Sequence, residues 1–363
     1  MDLSLIYELS APTGSDQERV QRTFWEAVEQ IELADRLGYR TVWFTEHHFL
    51  PGFAHSSAPE VMMSYLAART ENIRLGHAVT LLPHNINHPA RIAERTATLD
   101  ILSNGRLEFG GGRAITPAEL LGFEVSPDDS KTQWEETLRM LPGMWTEENF
   151  SFKGTYIDFP ERAITPKPLQ KPHPPMWTAC TQPATVEAAG RFGIGALTFG
   201  VGYQAIEDYV KTYRAAIAQA EPVGKFVNDR FATWVHCLCA PTDEEAAEIQ
   251  GRNFFHYIET VGELFAPWVD GQPPKTYEYF VNLWNQSAEM LREASVADLV
   301  AAGTAAIGSP ETVGEVLEHL ARSGVDEALL FMQNYDAPHE AVMRSIEMIA
   351  KEVMPNVNGA RAH

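Results

Sequence analysis

Eight short apolar runs, each followed by a segment of helical pattern, dominate the chain. That alternation restricts it to a sheet of parallel strands. The strand-like runs are Leu3 to Tyr7, Tyr39 to Thr45, Ile73 to Leu82, Arg106 to Gly110, Pro175 to Ala179, Ile194 to Phe199, Phe231 to Cys239 and Val325 to Met332. Helical stretches are expected at Glu18 to Leu37, Pro59 to Arg69, Pro89 to Leu102, Ser130 to Thr146, Pro183 to Arg191 and Tyr203 to Ala220, from near Thr242, and at His339 to Val353. Eight such units predict a closed α/β structure, a (β/α)8 TIM barrel, rather than an open doubly wound sheet. No Gly-x-Gly-x-x-Gly follows the first strand, which counts against a dinucleotide-binding sheet. Helix boundaries agree: acids at Asp243, Glu244 and Glu245, Ser309-Pro310-Glu311 at a helix start, and Gly324 at a helix stop.

The 363 residues suit one large domain or two ordinary ones, and 45% hydrophobic residues are ample for a core. We expect a single domain over residues 1–356. Two segments exceed a minimal barrel, residues 114–175 and 252–307, and insertions of that size are expected to cover the C-terminal face. Residues 357–363 are expected to fray. The formal charge of −21 argues against nucleic acid and against an anionic membrane surface. Met1-Asp2-Leu3 has no basic start, and no run approaches the 18 or so apolar residues of a membrane span, so neither a signal peptide nor a span is expected. Three cysteines, Cys180, Cys237 and Cys239, do not make a disulfide framework and point to a reducing cytoplasm. Cys237 and Cys239 read as core thiols, without further ligands for a metal.

Four segments could carry chemistry. Glu46-His47-His48-Phe49 ends the second strand, where an α/β barrel places its active site. Adjacent histidines point opposite ways on an extended chain, which disfavours a shared metal and leaves acid–base work, substrate contact or packing. Arg106 to Ala114 runs an apolar strand into three glycines and Arg113. That arrangement suits close backbone approach to a ligand and a bidentate phosphate contact, or else a turn with a solvated arginine. In Ala179-Cys180-Thr181-Gln182-Pro183, Thr181 is an N-cap candidate and a helix start attracts phosphate. Asp128-Asp129-Ser130-Lys131 reads as a solvated helix start.

These pieces resemble, in order, the bacterial luciferase-like family of flavin-dependent monooxygenases. GYRTVWFTEHHF is similar to that family's second strand, and NIRLGHAVTLLP with HPARIAERTATLDILSNGRLEFGGGRA to its third and fourth. PMWTACTQPATVEAAGRFG resembles its fifth-strand phosphate segment, and GSPETVGEVLEHLARSGVDEALLF its C-terminal helix and last strand. The resemblance implies reduced FMN supplied by a separate flavin reductase. It implies reaction with O2 through a flavin C4a-peroxide or hydroperoxide, and oxygenation of a small or medium, largely apolar substrate such as an aldehyde or ketone. It also implies a homodimer.

Residue by residue, the resemblance places the catalytic acid–base on His47, with His48 and Phe49 toward the wall or the substrate space and Glu46 on the cofactor side. Arg113, Lys131, Cys180 (through its backbone N–H) and Thr181 fall on phosphate contacts. Ala78-Val79 falls on a non-prolyl cis peptide beneath the isoalloxazine, and Thr198 on a serine facing the flavin. Three positions depart from the pattern. Gly112 replaces a cysteine beside the flavin, which argues against light emission. Lys131 replaces an arginine and lacks its fork. The loop Leu82 to His88 is longer. The charges point to a phosphate site after strands four and five, whereas barrels usually use strands seven and eight. Two alternatives stay open on the same fold: hydride transfer with a deazaflavin, and a non-catalytic flavin-binding subunit.

Overall fold

The computed structural model describes residues 1–200, 202–269 and 271–359. Eight parallel strands form its main sheet: β1 (Asp2–Tyr7), β2 (Thr41–Phe44), β3 (Arg74–His77), β4 (Leu107–Gly112), β5 (Met176–Cys180), β6 (Gly195–Thr198), β7 (Phe231–Cys239) and β8 (Glu327–Phe331). Each pairs with the next, and β8 pairs back to β1 through Leu3↔Ala328 and Leu5↔Leu330, so the sheet closes. This is the expected (β/α)8 barrel, built from all eight strand-like runs.

The barrel is closed at its N-terminal end by two indoles and two buried carboxylates. Trp43 and Trp177 cross edge to face in the interior with ring centroids 5.3 Å apart. Each indole lies against a glycine of the neighbouring strand, Trp43 opposite Gly76 and Trp177 opposite Gly195. A Cβ at either glycine would come within 2.3 Å of the ring. The indole N–H of Trp43 donates to Glu327 at 2.9 Å and that of Trp177 to Glu108 at 2.7 Å. Ser4 and Arg230 also donate to Glu327, at 2.6 and 3.0 Å, and Arg74 donates to Glu108. A buried carboxylate costs several kcal/mol unless paired and hydrogen-bonded in this way. The floor is therefore filled, and a ligand can sit only above it, at the strand C-termini.

Four further strand segments of five residues or fewer accompany the eight; three lie outside the strand-like runs, and Thr80–Leu81 falls inside the run Ile73 to Leu82. Ala305–Gly308 pairs with the C-terminal half of β7, on the edge that β6 leaves at Thr198. Thr80–Leu81 pairs with the end of β4. Phe150–Lys153 and Asp158–Arg162 form a hairpin. That hairpin packs on the outer side of helix Pro127–Thr146, with Phe150 against Gly143 and the backbone N–H groups of Tyr156 and Ile157 on Glu136. Within 114–175, the short helix Pro117–Gly122 is what reaches the mouth. There it meets helices Asp243–Val269 and Glu278–Glu293: Leu120 clusters with Leu81, Ala114, Phe265, Trp268, Tyr277 and Val281.

Val357, expected in a frayed end, is buried within helix Met354–Gly359, and its carbonyl accepts from the N-terminal ammonium at 3.3 Å. Residues 360–363 of that expected tail lie outside the described residues. No helix among the described residues is long and apolar enough to cross a membrane.

Candidate functional site

A cavity of about 230 Å³ opens at the C-terminal ends of the strands. Glu8 enters it after β1, Glu46 and His47 after β2, Ala78 and Val79 after β3, and Arg113 after β4. Ala179 and Thr181 line it from β5 and just beyond, Phe199 from the end of β6, and Trp234 and His236 from β7. Phe254, Tyr257, Phe265, Phe280 and Trp284 close it from the two long helices. A smaller cavity of about 60 Å³ adjoins it, lined by Arg113, Lys131, Thr181, Gln182, Thr185, Thr276 and Tyr277 among others. Arg113, Thr181 and Ala179 border both, so the two share a wall.

His47 is held by a buried carboxylate that sequence reading does not single out. Its Nδ1 donates to Glu119 Oε1 at 3.0 Å; the same oxygen accepts from the His48 backbone N–H at 3.2 Å. Thr116, the N-cap of helix Pro117–Gly122, donates to the other Glu119 oxygen at 2.8 Å. Burial pulls the His47 imidazolium down, but Glu119, together with smaller pulls from Glu8 and Glu46, outweighs it and the ring titrates above its ordinary range. Burial pushes the Glu119 carboxyl up; His47, Thr116 and the His48 N–H outweigh that, and it ionises below its ordinary range. The couple is an imidazolium–carboxylate pair at weakly acidic pH, with the other imidazole nitrogen left for chemistry in the cavity.

Glu46 is occupied by the protein. Leu81 N–H donates to one oxygen at 2.9 Å, and Asn87 and His48 reach the other at 2.8 and 3.0 Å. His48 therefore turns away from the cavity and packs edge-on against Phe123 at 4.9 Å. Phe49 sits at φ +62°, more than half exposed, against Phe123 and Gly122. Both were expected in the wall or the substrate space, and neither lines the cavity.

The Ala78–Val79 peptide is cis, as the resemblance implies. This turn accounts for two of the three glycines of β4. A Cβ at Gly110 would come 2.1 Å from the His77 carbonyl oxygen and one at Gly112 would come 2.2 Å from the Val79 side chain. A cysteine at 112 would need Val79 to move.

Arg113 donates to Ser130 Oγ at 3.1 Å and to the Thr276 carbonyl at 2.9 Å, with its guanidinium 4.3 Å from the Tyr277 ring centre. These contacts fix the fork at the junction of the cavities and leave donors over. Lys131 reaches the small cavity from the opening turns of helix Pro127–Thr146. Thr181 borders both cavities but is not the cap: the N-cap of helix Pro183–Arg191 is Gln182, whose N–H donates to Thr185 Oγ at 3.3 Å.

Cys180 and Thr198 take the opposite face. They are partners in register on β5 and β6, while their neighbours Ala179 and Phe199 point inward. Side chains alternate along a strand, so both point to the helical layer. Cys180 is fully buried there, donates to the Thr185 carbonyl at 3.5 Å, and burial pushes its thiol up to about 12. Thr198 donates to the Ala232 carbonyl at 3.1 Å. The Thr198 hydroxyl, expected at the flavin, is not brought to the cavity; Phe199 takes that place.

Sequence reading missed Glu8, Glu119, Trp234, His236 and Tyr257. Glu8 had a signal, a carboxylate directly after β1. His236, a lone histidine inside the apolar WVHCLC, had a weak one. Glu119 had none, because its partner lies 72 residues away. Among the described residues, no group of three or more His, Cys, Asp or Glu side chains is placed to hold a metal ion.

The model of the luciferase-like monooxygenase family matches residues 5–327. Two uncharacterized proteins of Sinorhizobium fredii, y4vJ and y4wF, are 32% and 33% identical over 221 and 185 residues, or 60% and 51% of this chain. Those matches span 61% and 53% of the relatives' own lengths. The oxygenase component of flavin-dependent trigonelline monooxygenase from Acinetobacter baylyi is 25% identical over 94% of this chain and 92% of its own. An F420-dependent glucose-6-phosphate dehydrogenase from Amycolatopsis mediterranei is 31% identical over 61% of this chain and 67% of its own. Among solved structures, monooxygenase RslO1 from Streptomyces bottropensis superposes with a TM-score of 0.79 at 26% identity, covering 98% of this chain and 99% of that one. With a family match over most of its length and a barrel of the same form, this chain belongs to the luciferase-like monooxygenase family.

Proposed function

We propose that the protein is a flavin-dependent monooxygenase that takes reduced FMN and O2 and oxygenates a small or medium, largely apolar organic molecule. The observation that carries this is the adjacency of two unlike cavities across Arg113 and Thr181. The small one offers a guanidinium, an ammonium and hydroxyls beside a helix start, a donor set that suits a phosphate. The larger one is mainly apolar, with Val79 and Ala179 on one side and a histidine–carboxylate couple on another, and suits a flat ring beside a substrate. Bound reduced FMN would supply the electrons that activate O2.

The chain's own residues have separable tasks. Arg113, Lys131 and Thr181 would hold the phosphate, with the backbone N–H of Cys180 beside them. Ala78 and Val79 would support the ring, and Glu46 would fix the loops around it. His47, charged by Glu119, would give or take a proton at its free nitrogen. The aromatic side chains of the two long helices would exclude water. A separate flavin reductase, a homodimer and a cytoplasmic setting belong to the same proposal.

Titration of the protein with FMN, followed by flavin fluorescence, tests the cofactor. Oxygen uptake with a reductase and a panel of aldehydes and ketones tests the reaction. Absence of FMN binding, or binding that Arg113→Ala leaves untouched, refutes the reading. The F420-dependent relative motivates a second reading, hydride transfer with a deazaflavin. Parallel titrations with F420 decide between them, since tighter binding of F420 and no oxygen uptake would select the second. Binding of flavin without turnover of any kind would select a non-catalytic subunit.

A further inference from the structure

One corner of the larger cavity plays no part in the flavin reading. Trp234 and His236 stand two apart on β7 and so share its inward face. Glu8 follows β1. All three line the cavity and are at least nine-tenths buried, at 5%, 9% and 1% exposure. Among the described residues, the indole Nε1 of Trp234, Nδ1 of His236 and Oε2 of Glu8 have no hydrogen-bond partner. The other Glu8 oxygen accepts from the Tyr257 hydroxyl at 3.4 Å, which fixes the carboxyl group. Packing fixes the rings: Trp234 against Phe331 at 4.6 Å, His236 against Phe254 at 4.8 Å and Tyr257 at 4.9 Å. Buried polar groups are nearly always paired, and three unpaired in one corner call for a ligand that pairs them.

We propose that Glu8, Trp234 and His236 form a hydrogen-bonding corner that seats the carbonyl or hydroxyl oxygen of an uncharged, otherwise apolar substrate. The proposal rests on the oxygenase reading for what happens to that substrate, but not for how it is bound. The donor pattern selects the class. Indole N–H is a donor only, so an ammonium, also a donor only, would face it unpaired. A carboxylate substrate would bring a full charge into a mainly apolar cavity, and a hydrocarbon would leave all three groups unpaired. An oxygen accepts from Trp234, and a hydroxyl can also donate to His236 or Glu8. Burial pushes the Glu8 carboxyl up to about 8, against the pull of His47, so at neutral pH it carries a proton that it can donate to a carbonyl.

The test uses matched shapes on the cyclohexyl, decalinyl and adamantyl frames: ketone, alcohol, hydrocarbon and ammonium. Affinities are measured by equilibrium dialysis on the full chain, with and without FMN. We expect ketone or alcohol to bind about tenfold more tightly than the hydrocarbon or ammonium on at least one frame. Trp234→Phe should reduce that preference roughly three- to tenfold, one buried hydrogen bond, with hydrocarbon affinity kept as the sign of a folded cavity. Glu8→Gln, whose amide can still donate, should keep it, and Glu8→Leu should lose it. If Glu8→Leu does not fold, Trp234→Phe and the wild-type series still decide. Equal binding of ketone and hydrocarbon, preference for the ammonium, or no binding on any frame overturns the corner. Loss of FMN affinity in Trp234→Phe, in step with the ketone preference, also overturns it and assigns the corner to the flavin. A protein that fails to bind FMN yet keeps the ketone preference sinks the flavin reading and supports the corner.

Discussion

Glu119→Gln is the perturbation that most directly tests how His47 is held. The amide keeps the shape of the carboxylate and can still accept from His47 Nδ1, so the change removes charge and little else. At 3.0 Å and an effective dielectric of about 20, the pair's Coulomb energy is at most about 5.5 kcal/mol. Close charge pairs measured by double-mutant cycles start near 1.5 kcal/mol, so a net loss of about 1.5–3 kcal/mol is expected. With the charge gone, burial dominates, and the His47 titration should move downward. The effect on stability has a defined pH window. His47 titrates above its unfolded value, so its contribution is present below that value and is lost as pH rises through the folded one. Glu119 titrates below its unfolded value, so its contribution is present above that value and is lost as pH falls through the folded one. The difference between wild type and variant should therefore peak at about pH 5–6.5, between the ordinary carboxylate and imidazole ranges, and shrink in alkali. Urea unfolding across pH reads the energy, and NMR of the imidazole reads the titration. If the substrate is found, turnover should fall roughly ten- to 150-fold. A stability difference independent of pH, or an unmoved His47 titration, would refute the coupling.

Arg113→Ala should weaken FMN about 10- to 150-fold by removing charge-assisted bonds, with Arg113→Lys between, as fluorescence titration will show. The Cys180 thiol, buried and pushed up to about 12, should resist alkylation at pH 8 in the folded protein and react only after denaturation, followed by mass spectrometry. Thr198→Val should leave FMN affinity within about twofold, because its hydroxyl faces the Ala232 carbonyl and not the cavity; a larger loss would place it at the flavin after all. Glu327→Ala should cost about 3–5 kcal/mol in chemical denaturation, because Arg230, Trp43 and Ser4 lose their shared acceptor inside the barrel.

The barrel was legible because its signal is repeated and local. Each apolar run and each helical stretch announces itself within about ten residues, and closure follows from their number. The strand-end residues His47 and Arg113 were legible for the same reason, since each directly follows a run. What the sequence hid depends on contacts across the fold. Glu119 belongs to a six-residue helix and meets His47 only when the β2 and β4 loops converge. The three glycines of β4 looked like room for a ligand; two of them make room for the turn after β3. Thr198 was misjudged at the level of one residue. A motif fixes which strand carries a function, but alternation sends residues i and i+1 to opposite faces, and only the pairing register says which is which.

The mouth concentrates three buried carboxylates, Glu8, Glu46 and Glu119, and the fold gives each a different use. Glu46 is tied to the Leu81 N–H, Asn87 and His48, and serves to fix loops. Glu119 accepts from His47, His48 and Thr116, and these contacts keep it ionised. Among the described residues Glu8 has one weak side-chain partner and a free oxygen, and burial keeps it protonated near neutrality. Two carboxyl groups whose surroundings push their titrations apart mark where a site separates charged from neutral work. Here that separation runs across the cavity. The side of β2 and β4 carries the histidine–carboxylate couple, and the side of β1 and β7 presents neutral hydrogen-bonding groups. A substrate between them would meet a proton-transfer group at one end and an anchoring corner at the other. Exchanging the roles should be informative: in a Glu119→Gln background, Glu8 loses a like-charged neighbour, and the His47 charge that favours its ionised form falls away as well. The two changes oppose each other, and since the His47 pull outranks the Glu119 repulsion, the Glu8 titration should move further up. A downward movement, read by carboxyl NMR, would mean that the two sides are not electrostatically joined through His47.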